Sequence, residues 1–246
     1  MPAAVPQRLL VLSVLLSTCF AVRAGPYETG STSTAKGLKF KTNVQLKHSA
    51  DKDSWVLPKL GVGGPLAENL ELSVGSGYGM IRRTDGGRSG GLRDLSAGLK
   101  WRLLDEHGSR PAVTIEPSLG MPTGDRRSGI GKGAYSLELP VRAGHQFGDF
   151  RLTGQVSVQR SFGRDEDQFG SGVLLEYFPS PRWSCGIELV ADAPLDEPAA
   201  RHLRANLGAK QKIGQHLQWQ ALAGRTLENR RGGPVTTIKL ALEYLL

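Results

Sequence analysis

The feature that most constrains this chain is a period of two. Leu95, Ala97, Leu99, Trp101 and Leu103 share one phase, and Asp94, Ser96, Gly98, Lys100 and Arg102 share the other. After a short polar turn, Val113, Ile115, Pro117, Leu119 and Met121 oppose Ala112, Thr114, Glu116, Ser118 and Gly120. Successive side chains of a β-strand point to opposite faces, so each stretch predicts a strand with one apolar and one polar side. An apolar phase that reaches a tryptophan, backed by a charged phase, suits a strand with hydrocarbon on one side and water on the other.

Length and composition narrow this only partly. The 246 residues suffice for one large all-β domain. Only 39% are hydrophobic, and no internal run reaches the ~18 apolar residues of a membrane helix. A soluble β-sandwich could share these totals.

At the N-terminus, Arg8 precedes the apolar run LLVLSVLLSTCFAV, and Val22-Arg23-Ala24 resembles a small-x-small cleavage site. Residues 1–24 therefore read as a secretory signal peptide, cleaved after about Ala24. A lipoprotein signal ending at Cys19 is the weaker alternative, because Thr18 suits poorly the position before a modified cysteine. Cleavage removes Arg8 and Arg23, lowering the formal charge from +8 to +6, and leaves Cys185 as the only cysteine. No internal disulfide is then available to this exported chain.

Residues 25–36, GPYETGSTSTAK, are small and polar and are expected to form a flexible leader. Residues 37–246 carry twelve candidate strands near 37–47, 54–62, 69–81, 92–103, 111–121, 135–147, 150–162, 168–178, 182–191, 202–213, 216–225 and 235–246. The second has the weakest pattern, because Pro58 and its neighbouring glycines blur the alternation, so ten or fourteen strands stay open. Strands of this length in an even number fit an antiparallel up-and-down transmembrane β-barrel, which must close because lipid cannot satisfy a sheet edge. Connections alternate too. Those at 147–150, 178–181 and 213–216 are short, whereas 82–91, 122–134, 193–201 and 226–234 are longer and more charged. Short periplasmic turns, long surface loops and both termini in the periplasm are expected.

Tyr135 with Phe147, and Phe150 with Phe162, bracket two adjacent strands on the apolar phase, as the two aromatic girdles of a barrel would. In a sandwich the same residues would be core aromatics. In the last stretch Ile238, Leu240, Leu242, Tyr244 and Leu246 alternate to the final residue. Such a strand resembles the signal by which outer-membrane barrels engage the barrel-assembly machinery, with Leu246 in place of the usual terminal aromatic.

Gly91, Asp94 and Leu95 open a strand that ends in Lys100, Trp101 and Arg102. Pro122, Thr123, Gly124 and Asp125 then lead into Gly129, Gly131 and Gly133. This arrangement, over about a fifth of the chain, resembles the bacterial outer-membrane family named for the meta-pathway of phenol degradation. The resemblance implies an outer-membrane barrel in a Gram-negative bacterium that passes small solutes, hydrophobic or aromatic molecules among them.

Catalytic and cofactor motifs are largely absent from the sequence. Gly129-Ile130-Gly131-Lys132-Gly133 has Gly133 where a phosphate loop needs Ser or Thr, and it precedes a strand rather than a helix. His48, His107, His145, His202 and His216 show no metal-ligand spacing, and no cofactor is expected. Asp165-Glu166-Asp167 reads as a solvated loop tip rather than a cation site. Some twelve-stranded barrels are phospholipases, but the one Ser–His pair that the sequence offers is His145 with Ser157, and their register puts them on opposite faces. No enzyme activity is expected.

Two sets of charges remain. Arg82, Arg83, Arg88, Arg126, Arg127, Lys132, Arg230 and Arg231 belong to the surface loops and suit lipopolysaccharide phosphates; solubilising loop charge is the equal alternative. Nucleic acid is not an expected partner of an exported chain, despite the basic pI. The inward phase mixes signs: Lys39, Lys41, Glu71, Lys100, Arg102, Glu116, Glu138, Arg142, Arg151, Glu176, Glu188, Arg204, Lys210, Lys212, Lys239 and Glu243. Twelve strands lie between side-chain-filled eight-stranded barrels and open 16–18-stranded porins. The expectation is therefore a monomeric channel with a narrow, charge-lined lumen. The alternatives are a closed structural or surface-binding barrel without transport and, further off, a surface phospholipase-type enzyme or a periplasmic lipid carrier.

Overall fold

The computed structural model describes residues 26–163, 167–230 and 233–246. The expected signal peptide with Cys19, together with Asp165, Glu166 and Arg231, lies outside the described residues. Strands form wherever the sequence alternates: β1 Lys39–His48, β2 Lys52–Ala67, β3 Leu70–Arg83, β4 Arg88–Leu92, β5 Leu95–Leu104, β6 Ala112–Ile115, β7 Ser118–Met121, β8 Ser136–Phe147, β9 Phe150–Ser161, β10 Gln168–Ser180, β11 Trp183–Pro194, β12 His202–Ile213, β13 Leu217–Asn229 and β14 Thr236–Leu245.

These pieces make twelve barrel strands, because β4 and β5 both run along β3, and β6 and β7 both lie between β5 and β8. β1 pairs with β14 from Lys39 opposite Leu245 to His48 opposite Thr236, and this closes the antiparallel barrel. Closure leaves no edge strand to seek another partner. The two interruptions have local causes. Pro117 has no N–H for the ladder, so Glu116 donates its own to Pro140 O at 3.0 Å and the strand resumes at Ser118. Between β4 and β5, Arg93 N–H reaches back to Gly77 O at 2.8 Å, and Asp94 turns toward the loop after β7. The second strand, with the weakest sequence pattern, extends over 16 residues and absorbs Pro58 and Pro65 at register shifts.

One end of the barrel holds the turns 68–69, 105–111, 148–149, 181–182 and 214–216 and both barrel termini. The other holds the connections 49–51, 84–87, 122–135, 162–167, 195–201 and 230–235. The expected alternation of short and long connections has three exceptions: 49–51 is short, the loop expected over 82–91 is only the turn 84–87 because Arg82, Arg83 and residues 88–91 pair within β3 and β4, and 105–111 is long.

Apolar residues face outward. Tyr135, Phe147, Phe150 and Phe162 are all about half exposed, and Phe150 stacks on Tyr177 with ring centroids 4.9 Å apart. Inside, the largest fully enclosed side chains include Arg142, Lys100, Gln220, Glu71, Glu188 and Asn206. The buried apolar cluster consists of Tyr27, Leu174 and Leu222. A water-soluble sandwich would show the reverse polarity, so the aromatics belong to an outer surface rather than a core.

The segment 25–36 needs correcting. Residues 26–36 are packed within the barrel, with Tyr27, Thr29 and Thr32 each 2% exposed. The reason is polar complementarity. A strand-free backbone carries unpaired N–H groups, and the interior offers carboxylates and amides to receive them.

Candidate functional site: the charged lumen

The inward phase of the strands sets the chemistry of the interior. Lys39 pairs with Glu71 at 2.6 Å, and both are buried. Glu116 takes Arg142 in a close ion pair and has Lys100 at 3.6 Å. Lys210 meets Glu176 on the neighbouring wall. Arg204 bridges Asp192 at 2.6 Å and Glu28 at 2.7 Å. Toward the short-turn end Arg151 holds Glu106 at 2.7 Å, and Arg102 pairs with Asp105 at the rim. Glu138 lines the wider half of the interior. Lys41 lies 3.9 Å from Glu243. Lys212 is exposed near the 214–216 turn.

Residues 26–36 thread through this network from the short-turn end. Ala35 N–H donates to Glu71 Oε2 at 2.7 Å, and Gly30 N–H donates to Gln155 Oε1 at 3.2 Å. Glu188 is fully buried and accepts the N–H groups of Glu28 and Thr29, with Asn206 Nδ2 donating to it at 2.7 Å. Lys239 Nζ donates to Pro26 O at 2.9 Å. The Tyr27 ring lies with Lys210 Nζ 5.3 Å from its centroid. Burial, reinforced by Glu176, pushes the Tyr27 phenol well above the ordinary tyrosine range.

The wall is cut to receive this segment. A Cβ on Gly208 would stand 2.4 Å from the Tyr27 ring, one on Gly172 2.4 Å from Thr29 Oγ1, and one on Gly144 3.1 Å from Thr32. An inward row of glycines on β8, β10, β11 and β12 was thus the available sign that something other than side chains fills the lumen. No periodicity marks residues 26–36 themselves.

At the other end, the connection 122–135 folds back over the mouth. Asp94 accepts Gly124 N–H at 2.9 Å and Lys132 N–H at 2.6 Å, while Thr123 Oγ1 accepts Leu95 N–H at 2.9 Å. Asp125 O receives the N–H groups of Ile130 and Gly131. Gly131 lies against Gly124, where a Cβ would come within 2.6 Å of the backbone. Gly129 and Gly133 take positive φ. Ile130 of this connection is buried over Gly79. Pro122 opens the connection directly after β7. These motif residues form a loop staple, with no helix to present amides to a phosphate.

Arg82, Arg83, Arg126, Arg127 and Arg230 are exposed at this end. His145 turns outward beside Phe147, and Ser157 lies on the opposite, inward phase. Among the described residues, no group of three metal-ligating side chains occurs.

The chain matches the family described as "Putative MetA-pathway of phenol degradation" over residues 23–234. The chain belongs to this family. No curated protein matches it. Among solved structures, it is similar to the COG4313 outer membrane channel from Pseudomonas putida F1, at 16% identity and a TM-score of 0.71, covering 91% of this chain and 100% of that one. The KdgM porin in complex with disordered oligogalacturonate is similar at 11% identity and 0.56, covering 85% and 99%. The CymD monoaromatic hydrocarbon channel is similar at 8% identity and 0.51, covering 84% and 100%. At such identities these likenesses establish the shared barrel fold of this family member and no more.

Proposed function

We propose that the protein is an outer-membrane channel that passes small solutes through a narrow, charge-lined lumen. The observation that carries this reading is a hollow polar interior behind an apolar wall. Two cavities of about 240 and 320 Å3, both bordered by Lys59, lie between residues 26–28 and the 122–135 connection. A barrel built only for strength would gain by filling that volume, since empty space forfeits packing. That similar barrels are known as an outer membrane channel and a monoaromatic hydrocarbon channel, together with the family's name, supports the same reading, with hydrophobic or aromatic molecules as the candidate cargo. In this reading Arg82, Arg83, Arg126 and Arg127 meet lipopolysaccharide phosphates around the outer mouth.

A closed barrel is the second reading, favoured by the inserted segment 26–36 and the ion pairs across the lumen. Planar-bilayer recording separates the two. The mature protein should give small, discrete conductance steps, and deletion of residues 26–34 should enlarge them. Charge reversal at Glu116 or Arg142 should alter conductance or selectivity in a channel. Silence from both the native and the deleted protein, each shown by gel mobility to be a folded barrel, rules out passage.

A further inference from the structure

Four ionisable residues form one row along the outer rim of the barrel wall. The register sets His48 of β1 opposite Asp53 of β2, Asp53 opposite Arg82 of β3, and Arg82 opposite Arg88 of β4. All four lie on the outward phase of their strands, as do Leu46, Trp55 and Met80 in the row beneath. Asp53 is the one carboxylate of the row, and His48 Nδ1 holds it at 2.6 Å. Arg82 and Arg88 are exposed, and their side chains make no ion pair or hydrogen bond among the described residues. Like charges directly opposite each other on neighbouring strands, with Cβ atoms about 5 Å apart, destabilise a sheet. Two facing guanidinium groups suit a phosphate placed between them, since each fork presents parallel N–H donors to its oxygens.

The pair stands where the hydrocarbon ends. Leu72, Tyr78 and Met80 of β3 are exposed on the same outward phase as Arg82. From Leu72 to Met80, at about 3.3 Å per residue and a tilt near 40°, the strand climbs roughly 20 Å. The apolar band of such a barrel is about 25 Å tall, so Arg82 lies at its outer edge, level with the lipid head groups. Directly below, Tyr78 stands opposite Leu92, and both are exposed. Gly90 leaves room beside them for the phenol, because a Cβ there would be 2.9 Å from Tyr78 Oη. An acyl chain can lie along Tyr78 and Leu92 while the phenol reaches the interface. Arg83 is on the inward phase, and Arg126 and Arg127 belong to the connection over the mouth rather than to the wall.

We propose that Arg82 and Arg88 form a discrete site for one phosphate of the lipid A head group of lipopolysaccharide, with an acyl chain of that lipid on Tyr78 and Leu92. The site rests on the outer-membrane placement of the reading above, not on the passage of solute. It narrows the lipopolysaccharide contact from a ring of loop arginines to one cross-strand pair on the lipid face.

The test is native mass spectrometry of the purified, detergent-solubilised mature barrel titrated with lipid A, with phosphatase-treated lipid A and inorganic phosphate as comparison probes. One tightly held lipid A per barrel is expected, at least tenfold tighter than the dephosphorylated lipid. Arg82→Gln and Arg88→Gln should each weaken it at least tenfold, and Arg88→Lys by less, because an ammonium keeps the charge and loses the fork. The glutamine variants relieve like-charge opposition and should keep the heat-dependent gel mobility of a folded barrel. A barrel with both Arg126→Gln and Arg127→Gln should bind within twofold of the native one. Equal retention of dephosphorylated lipid A, or binding indifferent to Arg82→Gln and Arg88→Gln, overturns the proposal. Loss confined to the Arg126 and Arg127 variant also overturns it, keeping a lipopolysaccharide contact but moving it to the mouth. Displacement of lipid A by inorganic phosphate at equal concentration overturns it in favour of a free phosphate site. Lipid A held through Arg82 and Arg88 by a barrel that never conducts would retain the site and dismiss the channel.

Discussion

Asp94 and Gly124, thirty positions apart, are joined by a 2.9 Å hydrogen bond from the Gly124 N–H to the Asp94 carboxylate, whose other oxygen takes the Lys132 N–H at 2.6 Å. One side chain thus fastens both ends of the connection that folds over the mouth. Hydrogen bonds to a charged acceptor contribute about 1.5–3 kcal/mol each. Asp94→Ala is expected to release the connection without opening the barrel. Brief trypsin treatment should then cleave after Arg126 or Arg127 at least tenfold faster than in the native protein, while the heat-dependent gel shift persists. Equal cleavage rates would show that the staple is not what holds the loop.

Glu116 lies between two cations, Arg142 and Lys100. Removing it leaves both buried without their shared carboxylate, and an uncompensated buried charge costs roughly 3–5 kcal/mol. Glu116→Gln should lower the temperature at which the unboiled band is lost, by more than Arg142→Met does, because Lys100 still answers Glu116 in the latter. The order of the two midpoints on a gel series checks this.

Tyr27 Oη is buried and has no protein hydrogen-bond partner. Removing an unsatisfied hydroxyl is neutral or favourable, so Tyr27→Phe should leave stability unchanged or raise it by about 1 kcal/mol. Gly208→Val should act oppositely, since its Cβ would occupy the ring's place. It should expel residues 26–30 and reproduce the larger conductance of the deletion. A Gly208→Val protein that conducts like the native one would show that the seat is not specific.

The raised phenol of Tyr27 also gives a pH signature. A tyrosine whose folded pKa lies above its unfolded value stabilises the fold fully below about pH 10 and loses that contribution as the pH climbs beyond it. The gel-shift midpoint of the native barrel should therefore fall between about pH 10 and 11 by more than that of Tyr27→Phe. Parallel curves for the two proteins would count against a docked, neutral Tyr27.

Val156 faces outward at 50% exposure, next to the inward Gln155. Arginine on the lipid face near the midplane costs about 2–4 kcal/mol. Val156→Arg should reduce the folded fraction assembled in liposomes, whereas Gln155→Arg should be tolerated more easily. Equal assembly of the two variants would contradict a lipid-facing wall.

Alternation by itself decided much of this protein. Residues such as Leu38 to Lys47 and Phe150 to Gln159 announce which side of each strand meets hydrocarbon, because side-chain direction depends only on position along an extended backbone. The inward phase of Lys39, Glu71, Arg142 and Glu188 follows from that local rule, whereas twelve strands rather than ten or fourteen, and closure through β1 and β14, come from the pairing itself. The interruptions at Arg93-Asp94 and Glu116-Pro117 were legible only in part: Pro117 lacks a donor, but what Asp94 binds depends on a loop thirty residues away. The contents of the lumen were decided by tertiary structure alone. Residues 26–36 have no period, and their partners Gln155, Glu188 and Arg204 are more than a hundred positions distant. Lys41, Lys59 and Lys239 are likewise brought together from β1, β2 and β14, the first and last strands meeting only when the barrel closes. A local pattern specifies faces, and only closure brings the faces of distant strands around one space.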